Sequence, residues 1–195
     1  MSSHTATPIN ENSKTTMTQN PFDKLNKSFT AGKTTGKPSY RHERESQIID
    51  QLRFVMQHSA TAKALLEFAD TNAIEIHVLK NKTGFGYLPD GSVVYISAAP
   101  EIRIGTPEML INLVGGLREA QQETTPETRR PTIEMGKERF VEQYVDKKAD
   151  IYFHQCSVVE EIEKALGFTE IVDSFQAMGY SDILEAYKKD KQSVS

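Results

Sequence analysis

The sequence predicts an α+β fold in which helices enclose a small sheet. Apolar residues recur every three or four positions over most of residues 43–195, whereas residues 73–97 alternate apolar and polar side chains. Turn signals interrupt that alternating block. A chain of 195 residues with 37% hydrophobic composition is long enough for one cored domain plus a tail. We therefore expect a tail over residues 1–42 and one α+β domain over residues 43–195.

Residues 1–42 carry the composition of a disordered basic tail. They are rich in Ser, Thr, Asn, Lys and Gly, with too few large apolar side chains to offset the entropy of ordering them. Six Lys or Arg against two acids give the tail a charge of +4, so the remainder carries −8. Phe22, Leu25 and Phe29 stand three and four residues apart and would share one face of a helix. They are either a chance cluster or a docking motif that folds onto a partner.

Two helices and three strands are predicted in the first half of the domain. The first helix begins at Glu43, and a second covers residues 60–70. Residues 73–79 alternate as a half-buried strand does, and the segments FGYL and SVVYIS flank the turn Pro89-Asp90-Gly91. A mainly antiparallel three-strand meander is the natural arrangement.

Four further helices are predicted after the sheet. Thr106 is a typical N-cap before Pro107, and that helix should end near Glu123. A long helix follows from about Ile133 to Leu166, with Gly167 as its stop. Two short helices close the chain, one over residues 168–178 and one capped by Ser181. The long helix places these apolar residues on one face: Val141, Val145, Ala149, Tyr152, Cys156 and Val159.

The composition argues against several classes of protein. A formal charge of −4 does not favour nucleic-acid binding, and no run approaches the roughly 18 apolar residues of a membrane span. Cys156 is the single cysteine, which fits a reducing cytoplasm, and we expect it to be a buried core thiol. The Ser, Thr and Lys content of the tail also fits a transit peptide, although Arg is scarce. The glycines of residues 84–91 lie between strands and open no helix, so no nucleotide cofactor is predicted.

Gly115 and Gly116 are adjacent inside the helix that begins at Pro107. Each costs a helix interior about 1 kcal/mol relative to Ala, so the pair needs an explanation. One interpretation is that they let a neighbouring element approach the backbone closely. The other is that larger functional side chains have been lost from these two positions.

The residues around the pair resemble a known motif. Residues 73–167 are similar to a bacterial family of zincin-type putative metallopeptidases, whose helix reads approximately His-Glu-Leu-Arg-His-Ala-x-Gln. Two His four apart share a helix face and both reach Zn²⁺, while the Glu activates the bound water. The following helix in that family tends to show Glu-Ala-Asp-Ala, with its Glu as third ligand. The residues that match are Leu117, Arg118, Ala120, Gln122, Ala149 and Asp150.

The residues that depart from this motif are the ones that carry its chemistry. Gly115 stands at the first His, Gly116 at the catalytic Glu and Glu119 at the second His. Lys148 stands at the third ligand. The resemblance therefore implies a zincin-like core that has lost its metal site, with no metal and no cofactor. It also suggests that a Glu119–Lys148 salt bridge spans the space where a cation sat.

These observations predict a catalytically inactive, metallopeptidase-like protein that binds a peptide or protein partner, or regulates one. The resemblance implies strand addition at the edge of the sheet, which we expect to be SVVYIS. Candidate binding residues are Tyr95, Ser97, Arg118, Gln122, Asp150, Arg129 and Arg130.

Two alternatives remain open at this stage. The chain is either a hydrolase with a non-standard site, such as Glu119 with Asp150 or His154, or a structural or assembly subunit. A Cys–His nucleophilic pair requires the fold to bring a histidine such as His77 to Cys156.

Overall fold

The computed structural model describes residues 40–80, 83–99, 105–125 and 133–193. It confirms the α+β class, with a three-stranded sheet and a helical majority. Phe22, Leu25 and Phe29 of the tail, and Arg129 and Arg130, lie outside the described residues. No helix in the described ranges is long and apolar enough to cross a membrane.

The elements follow the predicted order. The helices are α1 Tyr40–Met56, α2 Ala60–Thr71, α3 Pro107–Thr124, α4 Lys137–Leu166, α5 Glu170–Phe175 and α6 Ser181–Ser193. The strands are β1 Glu75–Leu79, β2 Phe85–Leu88 and β3 Val93–Ser97. A 3₁₀ turn at Pro89–Gly91 joins β2 to β3, another at Ile133–Met135 precedes α4, and a π turn at Gln176–Tyr180 joins α5 to α6.

Helix ends follow local chemistry at most of the predicted positions. The Thr106 side chain accepts a hydrogen bond from the Met109 amide at 3.3 Å, which confirms the cap of α3. Gly167 ends α4 in the left-handed conformation, as predicted. The long helix begins later than expected because Gly136 has φ +82°, outside helical space. The predicted cap at Ser181 is wrong, since Ser181 already has helical dihedrals and continues from the π turn.

The strand order is β1-β3-β2, with β1 parallel and β2 antiparallel to β3. The predicted meander, with SVVYIS at an edge, is therefore wrong, because β3 lies in the centre. Val94 and Ile96 of β3 are fully buried on one face, and the central position gives this strand a hydrogen-bonded neighbour at each edge. Alternation along each strand assigns the faces but carries no information on the order of strands.

Helix α3 crosses one face of this sheet and is the centre of the core. Most of its residues are buried, and its polar Asn112 and Gln122 are buried with them. Helix α4 is buried through its second half only, although Lys147, Lys148 and Asp150 before it also contact α3. All its buried residues follow position 150, and they are Ile151, Gln155, Cys156, Val158, Val159 and Ile162.

The first half of α4 extends beyond this covered region. Val141 and Val145 are 50% and 56% exposed, and Ala149 is exposed. The apolar face predicted for α4 therefore has two parts. It is buried in the core at Cys156 and Val159, and it is exposed to solvent at the residues that precede them in the helix.

Candidate functional site between α3, α4 and β2

The glycine pair lies where the sheet and α4 approach α3 most closely. A Cβ at Gly115 would stand 2.7 Å from Gln155 Nε2 and even closer to the Phe85 ring, and a Cβ at Gly116 would stand 2.6 Å from Val94 Cγ1. Both distances are far below ordinary van der Waals contact. The glycines therefore make room for neighbouring side chains, which is the close-packing interpretation. No hollow is left at either position.

Gln155 is a site residue that the sequence analysis missed. It is 1% exposed, and its Nε2 donates to the Ile111 carbonyl at 2.9 Å. Its Oε1 has no hydrogen-bond partner among the described residues. The available signal was a polar residue on the apolar face of α4, one position before Cys156. Gln155 fills part of the space that a side chain at position 115 would occupy if that residue were not glycine.

The predicted ion pair between Glu119 and Lys148 is confirmed. The Nζ of Lys148 lies 3.8 Å from Glu119 Oε1, 5.9 Å from the centroid of the Phe85 ring and 5.8 Å from the centroid of the Tyr144 ring. Phe85 lies between Gly115 and Lys148, because its ring packs against Gly115 and its centroid is 5.9 Å from Lys148 Nζ. A lysine between two aromatic rings is further stabilised by cation–π attraction.

A second polar group joins the same two helices. Arg118 donates to both carboxylate oxygens of Asp150, at 2.6 and 3.0 Å, and Gln122 Nε2 donates to Asp150 at 2.5 Å and to the Lys147 carbonyl at 3.1 Å. The structure therefore brings together three of the predicted binding residues, Arg118, Gln122 and Asp150. Asp150 accepts hydrogen bonds from both of the other residues, and a two-pronged arginine–carboxylate pair of this kind fixes the orientation of both helices.

Electrostatics assign Asp150 a structural role. Burial raises the pKa of its carboxyl group, but hydrogen bonds from Arg118 and Gln122, with the charges of Arg118 and His154, outweigh it and hold the pKa below its usual range. His154 Nδ1 lies 2.9 Å from the Asp150 carbonyl oxygen. A carboxylate with this many donors is a weak proton acceptor, which disfavours the Asp150 form of the hydrolase alternative.

The proposed Cys156–His77 pair does not form. Cys156 is fully buried between α4 and α6, and burial raises the pKa of its thiol to about 12. His77 lies in β1, where its ring contacts Glu45 at 3.3 Å and Glu75 at 3.0 Å. The core-thiol prediction for Cys156 is confirmed.

Tyr95 and Ser97 lie apart from the cleft residues. The register pairs Tyr95 with His77 and Gly86, so its side chain leaves the sheet on the face opposite Val94, Ile96 and α3. The Tyr95 ring covers Gly86, where a Cβ would meet it at 2.7 Å. Ser97 shares that outer face.

A cleft of about 370 Å³ opens between the end of α3 and the first turns of α4. Ile151 forms part of its lining, the rings of Phe140 and Tyr144 stack with centroids 6.4 Å apart, and Lys147 pairs with Glu123 at 3.3 Å. We call this the α3–α4 cleft; its remaining lining residues are Glu119, Gln122 and Lys148. The sequence analysis missed Phe140 and Tyr144, although their spacing of four was the signal that they share a helix face.

The outer edge of β2 borders this cleft. The hydrogen bond from Ser97 N to the Gly84 carbonyl, at 2.9 Å, sets the phase of the antiparallel pair. Gly86 and Leu88 therefore bond towards β3, and the backbone groups of Phe85 and Tyr87 point outward, where the described residues supply no strand. The outer edge of β1 differs, because Glu45 accepts a hydrogen bond from the Val78 amide at 2.9 Å.

These residues do not fit the zinc site that the resemblance implies. Within the described ranges, no group of three or more His, Cys, Asp or Glu side chains is arranged to hold a metal ion. The Phe85 ring contacts Gly115, and the Lys148 ammonium lies beside that ring, so an added cation there would meet an apolar ring and a like charge.

Comparisons of the chain with family models, with curated proteins and with solved structures find no match. The resemblance to zincin-type metallopeptidases therefore rests on the motif residues named above.

Proposed function

We propose that this protein is a peptide-binding module that holds an extended segment along the outer edge of β2. One observation carries the proposal: the open edge of β2 lies beside the α3–α4 cleft, since the Phe85 ring is 5.9 Å from the Nζ of Lys148, a cleft residue. A backbone edge next to a side-chain cleft is the arrangement that strand addition uses.

The two parts of the surface supply different components of recognition. Main-chain hydrogen bonds to Phe85 and Tyr87 would bind an extended backbone of any sequence. The cleft would select one side chain, and its stacked Phe140 and Tyr144 rings, together with Ile151, suit a large aliphatic or aromatic group. Because β2 has only four residues, the cleft must provide much of the affinity.

The proposal includes the ancestry that the motif suggests. In this view the chain is a catalytically inactive relative of bacterial zincin-type peptidases, acting in the cytoplasm without a cofactor, that has kept strand addition and lost the metal. The Glu119–Lys148 pair supports it, because the two residues that replace inferred ligands lie 3.8 Å apart.

The binding proposal is tested with random peptides displayed on phage and selected on the full chain. We expect the selected peptides to share one large apolar side chain, and Tyr144→Ala to weaken their binding by about tenfold. Phe54→Ala is the matched control, since Phe54 is 49% exposed against 50% for Tyr144 and lies on α1, away from the cleft and from β2. Failure to select any peptide, or equal effects of the two variants, would refute the proposal.

The ancestry is tested separately by restoring the inferred ligands. Gly115→His, Gly116→Glu, Glu119→His and Lys148→Glu should create a zinc site only when Phe85→Ala and Val94→Ala provide the room. Calorimetric titration with ZnCl₂ measures the result. A folded six-residue variant that does not bind zinc would contradict the alignment and leave the peptide test unaffected.

A further inference from the structure

An apolar groove lies between α4 and α6, on another side of α4 from the peptide site. It has a volume of about 450 Å³, and Ala149 and Phe153 of α4 face Ile183, Ala186 and Tyr187 of α6 across it. Phe153 and Tyr187 meet edge to face, with ring centroids 4.9 Å apart. We call this the α4–α6 groove.

The groove continues along the open half of α4. Val145 and Val141 stand one and two turns before Ala149 on the same side of the helix, and both are at least half exposed. The strip from Val141 to Cys156 is about 22 Å long at the rise of an α-helix. Its length matches an amphipathic helix of three turns or more.

Acidic side chains flank this apolar strip. Glu138, Glu142 and Asp146 are exposed at spacings of four, so they form a row beside Val141 and Val145. Asp182 and Asp190 line the groove from α6. The surface therefore suits an occupant that is apolar on one face and basic beside it.

We propose that residues 20–29 of this same chain, NPFDKLNKSF, bind in the α4–α6 groove as a short helix. Phe22, Leu25 and Phe29 would form its apolar face, and Lys24 and Lys27 would lie against the acidic row on α4. A second copy of the domain fits less well, because its own acidic rim would oppose an identical one.

The connection to α1 is long enough for this contact. Val78, Ile96 and Phe85 lie in one row across the sheet, with Glu45 of α1 bonded to Val78 at one end and Lys148 of α4 beside Phe85 at the other. Two strand spacings are about 10 Å. Residues 30–39 reach about 33 Å when extended, which is about three times that distance.

The test uses the lack of tryptophan in this chain. In the full-length Phe22→Trp variant, all tryptophan emission reports the tail. We expect emission at shorter wavelength and weaker quenching by acrylamide than in a peptide of residues 15–35 carrying the same change. Adding Val145→Glu should abolish both differences, whereas adding Phe54→Glu, an equally exposed apolar position on α1, should not.

Further variants keep the test decisive. Lys24→Glu with Lys27→Glu alters only the tail, so it cannot unfold the domain, and it should release the tryptophan as Val145→Glu does. High salt should do the same in part, because charge pairs contribute. Emission equal to that of the free peptide, emission unaffected by Val145→Glu, or a blue shift that grows with protein concentration would overturn the proposal; the last result would indicate exchange between copies.

Discussion

The two halves of α4 have the same apolar periodicity and opposite surroundings. The second half is covered by α3, α5 and α6, and Val158, Val159 and Ile162 are almost inaccessible. The first half presents Val141, Tyr144 and Val145 to solvent. The α3–α4 cleft and the α4–α6 groove lie on different sides of α4, and both extend onto that exposed half. An apolar stripe therefore identifies a surface to be covered and does not identify what covers it.

The largest difference between the halves should appear in stability. Ile162→Ala removes a fully buried side chain and should lower the free energy of unfolding by about 2–5 kcal/mol. Val145→Ala, at a half-exposed position, should change it by about 0.5 kcal/mol or less. Urea denaturation followed by circular dichroism measures both. Equal losses would mean that Val145 is packed as tightly in the native protein as Ile162 is.

A smaller effect is expected where the buried half of α4 meets α3. Gly115→Ala should gain about 1 kcal/mol of helix propensity and lose about 1–3 kcal/mol by overpacking against Phe85 and Gln155. We expect a net loss of up to about 2 kcal/mol.

Phe85→Leu should recover part of that loss in the double variant, although alone it destabilises the protein. The double-variant cycle measures this coupling by denaturation. Additive effects would contradict the close contact between Phe85 and Gly115.

The smallest expected effect is on the pH dependence of stability, and it comes from Glu160 in the second half of α4. Hydrogen bonds from Lys164 and Lys191, each 2.6 Å long, lower the pKa of Glu160 to about 2. Its contribution to stability is therefore present above pH of about 4.5 and is lost as the pH falls towards 2. Glu160→Gln should flatten the stability profile in that window. Parallel profiles for wild type and Glu160→Gln, from denaturation at each pH, would refute this assignment.

Local signals in the sequence predicted much of the fold because local chemistry sets it. Thr106 and Gly167 work as caps wherever the helix packs, and the apolar alternation of Val94 and Ile96 predicts a strand with one buried face. The order of the strands depends on how β3 inserts between β1 and β2, which no local pattern encodes. The edge was assigned wrongly for this reason.

The candidate site was predicted in part. Charge complementarity at matched positions was sufficient to predict Glu119–Lys148. The motif identified Arg118, Gln122 and Asp150 as binding candidates, and the structure shows that they bond to one another. Phe85 and Gln155 were missed because their role depends on long-range packing against Gly115. The glycines showed that something approaches closely, and only the three-dimensional structure shows which groups do.

The ammonium of Lys148 is tethered to the chain by covalent bonds. Because Lys148 is part of the polypeptide, every molecule carries its charge, whereas a dissolved ion must be bound and retained. The junction of α3 and α4 around Glu119 would thus form alike in ion-rich and ion-starved conditions, and treatment with EDTA should leave its folding unchanged.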